Sequence, residues 1–175
     1  MKVKLKDKTF TYRFAKEEDI DKINRFDINI YKQVDHRFYF RHNKIKLKNM
    51  MSNGRKLWLV FYGKRLVAWA GIVLDMDKTW ASDYNLSEKQ MAQVGDMVAT
   101  AVSPKFRGYG LQRFLIEKRI EYLKKIKKKY VVTDVNPENK ISENNIIACG
   151  FKFTKKAKSR RRASKVMLNH YILKI

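Results

Sequence analysis

The stretch VSPKFRGYGLQRFLIEK, residues 102 to 118, decides the fold. Val102 ends a β-rich run, and Pro104 prevents that run from continuing as a ladder strand. Gly108 and Gly110 sit two apart, where a strand hands over to a helix beginning near Leu111. Glycines there allow close approach of backbone to a ligand. A helix start offers N–H groups and the positive end of a dipole, which together suit a phosphate. Arg107 and Arg113 add charge. The stretch is not a P-loop, because no Gly-Lys-Ser/Thr follows. It is not the dinucleotide fingerprint, because Arg113 stands where a third glycine belongs.

Working outward, AQVGDMVATAV (92–102) reads as the strand before the turn, and YVVTDV (130–135) as the strand after the helix. That helix, LQRFLIEKRIEYLKKIKKK (111–129), carries a stripe of Leu111, Phe114, Leu115, Tyr122 and Ile126. The unit is a β-α-β crossover over residues 94 to 136. TFTYRF (9–14) alternates like a strand. AKEEDIDKINRFDINIYKQV (15–34) reads as a helix with Ile20, Ile23, Phe26, Ile30 and Val34 on one face. Its acids Glu17, Glu18 and Asp19 crowd the first turn, where the dipole favours them. RFYFRHNKIKLKNMM (37–51) is read as a second helix. KLWLVFYGKRLVAWAGIVLDM (56–76) is a hairpin turning at Gly63-Lys64-Arg65. SENNIIACG (142–150) is a helix capped by Ser142 and stopped by Gly150. FKFT (151–154) and KVMLNHYIL (165–173) are strands around a basic loop. The expected class is α/β (α+β) with a largely antiparallel sheet, and residues 1–175 are expected to form a single domain.

Composition fits a globular core, with 45% apolar and 13% aromatic residues among 175. No segment approaches the roughly 18 consecutive apolar residues of a membrane span. The charged start MKVKLKDKTF has no apolar h-region, so the expected location is cytoplasmic, with no membrane partner. The lone Cys149 excludes an internal disulfide and reads as a small buried thiol. His36, His42 and His170 lack metal-ligand spacing, and no metal is expected. Net charge is +23, from 40 Lys or Arg against 17 acids. Between His36 and Leu74 lie nine basic residues and no acid, and KKIKKK (124–129) and KKAKSRRRASK (155–165) add two further clusters. Such a field attracts polyanions, so nucleic acid or a ribosome is a candidate partner.

VATAVSPKFRGYGLQRFLIEK resembles the segment of GNAT acetyl-CoA-dependent N-acetyltransferases in which a strand ends before an Arg/Gln-x-x-Gly-x-Gly/Ala pyrophosphate pattern. Arg107, Gly108, Tyr109, Gly110 and Leu111 match its first five places. Gln112 departs from the sixth, where the family has Gly or Ala. VVTDVNPENKISENNIIACGFKF (131–153) resembles the later family stretch, with Asn139 and Ser142 on its Asn and Ser and Gly150-Phe151 on its Gly-Phe. The resemblance runs from Met97 to Phe153, and more weakly over YRFAKEEDIDKI (12–23). It implies a mixed, mostly antiparallel twisted sheet of about six or seven strands flanked by helices, with one central β-α-β crossover. It implies acetyl-CoA as cofactor, held by Arg107, Gly108, Tyr109, Gly110, Leu111, Gln112 and Arg113 around the pyrophosphate. Ala101 and Val102 would hold the pantetheine arm by backbone groups, with Asn139 and Ser142 beside it.

The implied reaction is direct acetyl transfer in a ternary complex to a primary amine, on a small molecule or a protein. Asp96, on the strand before Val102, is the candidate general base, with Thr100 counted by twos onto its face. Asp134, Asp83 and Glu88 are weaker candidates. Where many relatives carry the Tyr that meets the departing sulfur, this chain has Ile146; water, or one of Tyr84, Tyr109 and Tyr130, is the alternative. Two other readings stay open: an acetyltransferase whose amine is presented by RNA, aminoacyl-tRNA or the ribosome, and a catalytically weak CoA-binding module. The oligomeric expectation is a monomer, or a homodimer pairing through the final strand.

Overall fold

The computed structural model describes residues 1–52, 55–74, 76–159 and 166–175. Arg160 to Lys165 of the basic run therefore lie outside the described residues. Among the described residues, eight strands, mostly antiparallel, and five helices give the mixed α/β class. In chain order they are β1 (Lys2–Leu5), β2 (Lys8–Phe14), α1 (Ile20–Tyr31), α2 (Lys44–Asn49), β3 (Lys56–Tyr62), β4 (Arg65–Val73), α3 (Glu88–Met91), β5 (Val94–Val102), α4 (Leu111–Lys125), β6 (Tyr130–Val135), α5 (Lys140–Ala148), β7 (Lys152–Lys158) and β8 (Met167–Lys174). The strand count exceeds six or seven because of β1. Its four residues, KVKL, are too short and charged to signal a strand, yet they pair with β2 through a turn at Lys6, whose φ is +53°.

Two compact units divide the chain. The first comprises Met1–Val73 and Val98–Leu115, the second Leu74–Met97 and Ile116–Ile175. In the first, β1, β2, β3 and β4 form an antiparallel meander. Ile20 and Ile23 of α1, Leu47 of α2, Leu57, Leu59, Trp69 and Ala101 fill its core. The α1 stripe differs from the periodic reading: Phe26 and Val34 are half-buried, while Asp27 is buried with Ile20, Ile23 and Ile30. Asp19 is not a dipole partner alone; its carboxylate takes a two-pronged bond from Arg13 (2.6 and 2.7 Å) and one from the Lys16 N–H. The second helix is shorter than read, starting at Lys44 behind an Asn43 cap.

In the second unit, β5 runs parallel to β6 from Val94↔Tyr130 to Asp96↔Val132, which is the expected crossover. Strand β8 pairs with β6 on one side and β7 on the other, so the final strand is not a sheet edge and the expected dimer pairing through it has no free ladder. Helix α5 is capped by Asn139, not Ser142: the Asn139 carbonyl oxygen accepts the Ser142 N–H, one turn earlier than read. Cys149 is half-buried rather than buried. Among the described residues no helix is long and apolar enough to cross a membrane.

Glu143 joins α5 to β8. Its carboxylate accepts from Lys140 (2.7 Å), the Asn169 amide (2.8 Å) and the Tyr171 hydroxyl (2.5 Å). Lys140 first, then Tyr171 and Asn169, lower its pKa from 4.5 to about 2. A depressed carboxyl adds stability that is complete above its unfolded pKa and disappears as pH falls toward the folded one. Glu143→Gln is expected to cost about 1–3 kcal/mol at pH 7. It should also flatten the loss of stability between pH 4.5 and about 2, read by urea titration across that range.

Candidate active site

The loop after β5 is fixed from beneath. Ser103 N–H donates to Val67 O (2.8 Å), and Pro104–Phe106 make one 3-10 turn. Phe106 is buried, edge-on to Phe10 at 6.2 Å and 5.4 Å from Tyr62. Tyr109 points into the same aromatic group, edge-on to Phe10 at 6.1 Å with Lys8 above its ring at 5.2 Å. Its side chain anchors the loop, so what Tyr109 can offer a ligand is backbone. Gly108 and Gly110 take φ of +81° and +80°, and a Cβ at either would meet nothing within 4 Å. The loop is thus left-handed at two places and open, with Arg107 exposed beside it and α4 beginning at Leu111. The Gly110 carbonyl accepts the Phe114 N–H (2.9 Å), the first bond of that helix. Arg113 is exposed and Gln112 half-buried. These residues fit a pyrophosphate: a cradle without side-chain bulk at a helix start, with a guanidinium at hand.

Beside the loop is a groove of ≈ 560 Å³ whose walls include Lys22, Arg25, Phe26, Arg65, Ser103 and Lys105. Four cations border an apolar floor.

Strand β5 is not regular. Ala99 has φ +41°, an uncommon conformation for a residue with a side chain. Counting by twos from Asp96 to Thr100 therefore fails at Ala99, and nothing in an alanine announces the break. Ala101 is buried and Val102 half-buried beyond it. Asp96 is 2% exposed, and its charge acts on Arg119 of α4, itself 1% exposed. Burial pushes Arg119 down to about 9, and Asp96 opposes that shift. Arg119 occupies the buried stripe of α4 between Leu115 and Leu123, where the sequence reading placed Tyr122 and Ile126.

Asn139 and Ser142 come together at the start of α5, joined by the capping bond of 3.2 Å. Asp83, Glu88, Asp134, Tyr84 and Tyr130 all lie in the second unit. Asp83 is buried and ion-paired to Lys155 at 3.0 Å. Glu88 is exposed on α3, and Asp134 is half-buried opposite His170. Ile146 is buried. Tyr84 is buried edge-on to His170, and the Tyr130 hydroxyl accepts from Gln90.

One polar cluster escaped the sequence reading. Asp27 of α1, 0% exposed, accepts from the Tyr39 hydroxyl, from the His42 backbone N–H at 2.5 Å and from Trp69 Nε1 of β4 at 3.2 Å. Burial, and then the Asp27 charge, hold the Tyr39 phenol far above its usual pKa, so it remains a donor. The available signal was an Asp spaced four from Ile23 and three from Ile30, on the apolar face.

The acetyltransferase (GNAT) family model matches residues 14–151. No curated protein sequence matches the chain. Among solved structures, an acetyltransferase of the GNAT family from Streptococcus pneumoniae is 15% identical with a TM-score of 0.72, covering 95% of this chain and 99% of its own. A putative acetyltransferase from Salmonella typhimurium, solved with its cofactor acetyl-CoA, is 15% identical at a TM-score of 0.71, covering 94% and 93%. The ribosomal-protein-S18-alanine N-acetyltransferase from Escherichia coli is 14% identical at 0.71, covering 95% and 94%. At such identities the likeness speaks for the fold alone.

Proposed function

The chain belongs to the acetyltransferase (GNAT) family, and from that premise we propose that it transfers an acetyl group from acetyl-CoA directly to a primary amine. The observation that carries this is the open left-handed loop at Gly108 and Gly110 ahead of α4. Backbone N–H groups of residues 107 to 113 would hold the pyrophosphate, with Arg107 and Arg113 supplying charge. Gln112 contributes its backbone there, so its side chain does not have to be small. Ala101 and Val102 would guide the pantetheine arm. Bound in this way, acetyl-CoA supplies an acetyl group already activated as a thioester. The positive φ at Ala99 interrupts the alternation of β5, and such a break would let the strand present an N–H to a carbonyl oxygen. Holding the acceptor beside that strand removes much of the entropic barrier.

Acetyl-CoA at about 100 times its Kd is expected to stabilise the protein by about 2.7 kcal/mol, or roughly 5–10 °C in Tm. Thermal melts with acetyl-CoA, and thiol release with an amine panel, test the reading. Absence of both would sink it. A shift without release from any amine would leave only a CoA-binding module.

The cationic groove beside the loop favours a second reading of the acceptor, an amine presented by RNA or the ribosome. The acid-free stretch from His36 to Leu74 supports it, and one structural neighbour is a ribosomal-protein N-acetyltransferase. Binding to single-stranded RNA should then weaken with salt at a log–log slope of about −0.7 per phosphate engaged. A flat slope overturns this reading and leaves the first untouched.

A further inference from the structure

We propose that His42, oriented by the buried Asp27, takes the proton from the ammonium form of the acceptor amine. This rests on the acetyltransferase reading. An amine at neutral pH is mostly protonated and has no lone pair for attack, so the site needs a group to receive that proton.

Three observations converge on His42. First, its Nδ1 is buried and makes no hydrogen bond, yet it lies 3.5 Å from Asp27 Oδ2, while the side chain keeps 18% exposure. A carboxylate at that distance favours a proton on Nδ1, which leaves the Nε2 lone pair to accept a proton. Second, the ring is fixed. It stands edge-on to Trp69 at 5.2 Å and 88°, and its own backbone N–H is bonded to Asp27. Third, it is well placed within the first unit. Trp69 shares a buried cluster with Ala101, and Tyr39 and Ala99 pack against that cluster. His42 thus packs on Trp69, whose buried cluster takes in Ala101 and is covered by Ala99 of β5, the strand to which the acyl arm is assigned.

The remaining histidines are otherwise engaged. His36 stacks on Tyr31 at 3.8 Å and contacts its carbonyl through Nε2 at 2.8 Å. His170 is 2% exposed.

The step is a plain proton transfer: an N–H bond of the ammonium breaks, an Nε2–H bond forms, and the electron pair stays on the amine. Asp27 stabilises the resulting imidazolium, which releases its proton to solvent. The titratable groups facing His42 are Asp27 from α1 and Tyr39 from its own segment; Trp69 from β4 brings a ring and no charge. Asp27 cannot leave this arrangement cheaply, since a buried carboxylate stripped of donors costs several kcal/mol.

The first test does not depend on turnover. In protein labelled with ¹⁵N-histidine, His42 is expected to be the Nδ1–H tautomer when neutral. An Nε2–H tautomer overturns the proposal. The second test uses whichever of glycinamide, benzylamine and an alanine-started hexapeptide turns over. His42→Gln is expected to lower kcat/KM by about 10²–10⁴-fold and to abolish the acidic limb of the pH profile. The acetyl-CoA thermal shift should be unchanged, and imidazole should partly rescue His42→Ala. Wild-type rates in His42→Gln, or a uniform loss with the acidic limb intact, overturn the base role. A wild type that neither binds acetyl-CoA nor acetylates any amine defeats the acetyltransferase reading instead, and the tautomer measurement still decides what Asp27 does to His42.

Discussion

Asp96→Asn is expected to cost the folded protein about 3–5 kcal/mol, a drop of about 10 °C or more in Tm. The reason lies on α4. Arg119 takes a core position between Leu115 and Leu123 and is 1% exposed, so its guanidinium has lost nearly all its water. Burial already pulls its pKa down to about 9, and Asp96 is the carboxylate that works against the pull. An amide at residue 96 keeps the shape and removes the negative charge that helps hold the buried Arg119 cation. Removing both charges avoids that penalty, so Asp96→Asn with Arg119→Met should recover more than half of the loss. Urea denaturation of the two singles and the double measures the coupling. Asp96 is also the carboxylate that the sequence offered as a general base. Work as the counter-charge of Arg119 predicts that folded Asp96→Asn keeps its rate within about tenfold and its pH profile unchanged. Wild-type stability with a lost acidic limb would return the base role to Asp96.

The strand-turn-helix at residues 102 to 118 was legible because its signals are local: a proline, two glycines and a helical stripe. The β3–β4 hairpin and the stop of α5 at Gly150 were legible for the same reason. What was hidden depends on partners distant in sequence. Asp27 looks like one more polar residue on a helix until Tyr39, His42 and Trp69 close around it. Arg119 looks exposed until α4 packs. Ala99 carries no residue-type signal for a positive φ, so the alternation along β5 seemed continuous. The cap of α5 was misplaced because Asn139 and Ser142 are both cap-type residues three apart, and propensity does not choose between them. A backbone cradle is thus easier to read from sequence than a cluster of side chains. Phosphate is held by backbone, which needs a motif, whereas proton transfer needs side chains assembled from separate elements.

Gly110→Ala is expected to abolish most of the acetyl-CoA thermal shift, with affinity falling more than about tenfold, or roughly 1.4 kcal/mol. Two effects have to be separated. An alanine at φ +80° is strained, at about 1–2 kcal/mol, so the ligand-free protein should melt several degrees lower. The added methyl meets no protein atom within 4 Å, so the fold has no further reason to object. A loss of binding beyond the strain therefore reports on a ligand lying where the methyl points. Gly63→Ala supplies the control. Gly63 sits in the β3–β4 turn at φ +57°, also with nothing within 4 Å, and should show comparable strain. Its acetyl-CoA shift should stay whole. Equal melting losses in the two variants, with the ligand shift lost only at Gly110, assign the cradle to the cofactor. A full shift in Gly110→Ala removes the pyrophosphate from this loop. The same experiment bears on Gln112: a cradle that works through backbone predicts that Gln112→Ala changes affinity by less than about threefold, since the N–H it offers is the same in either residue.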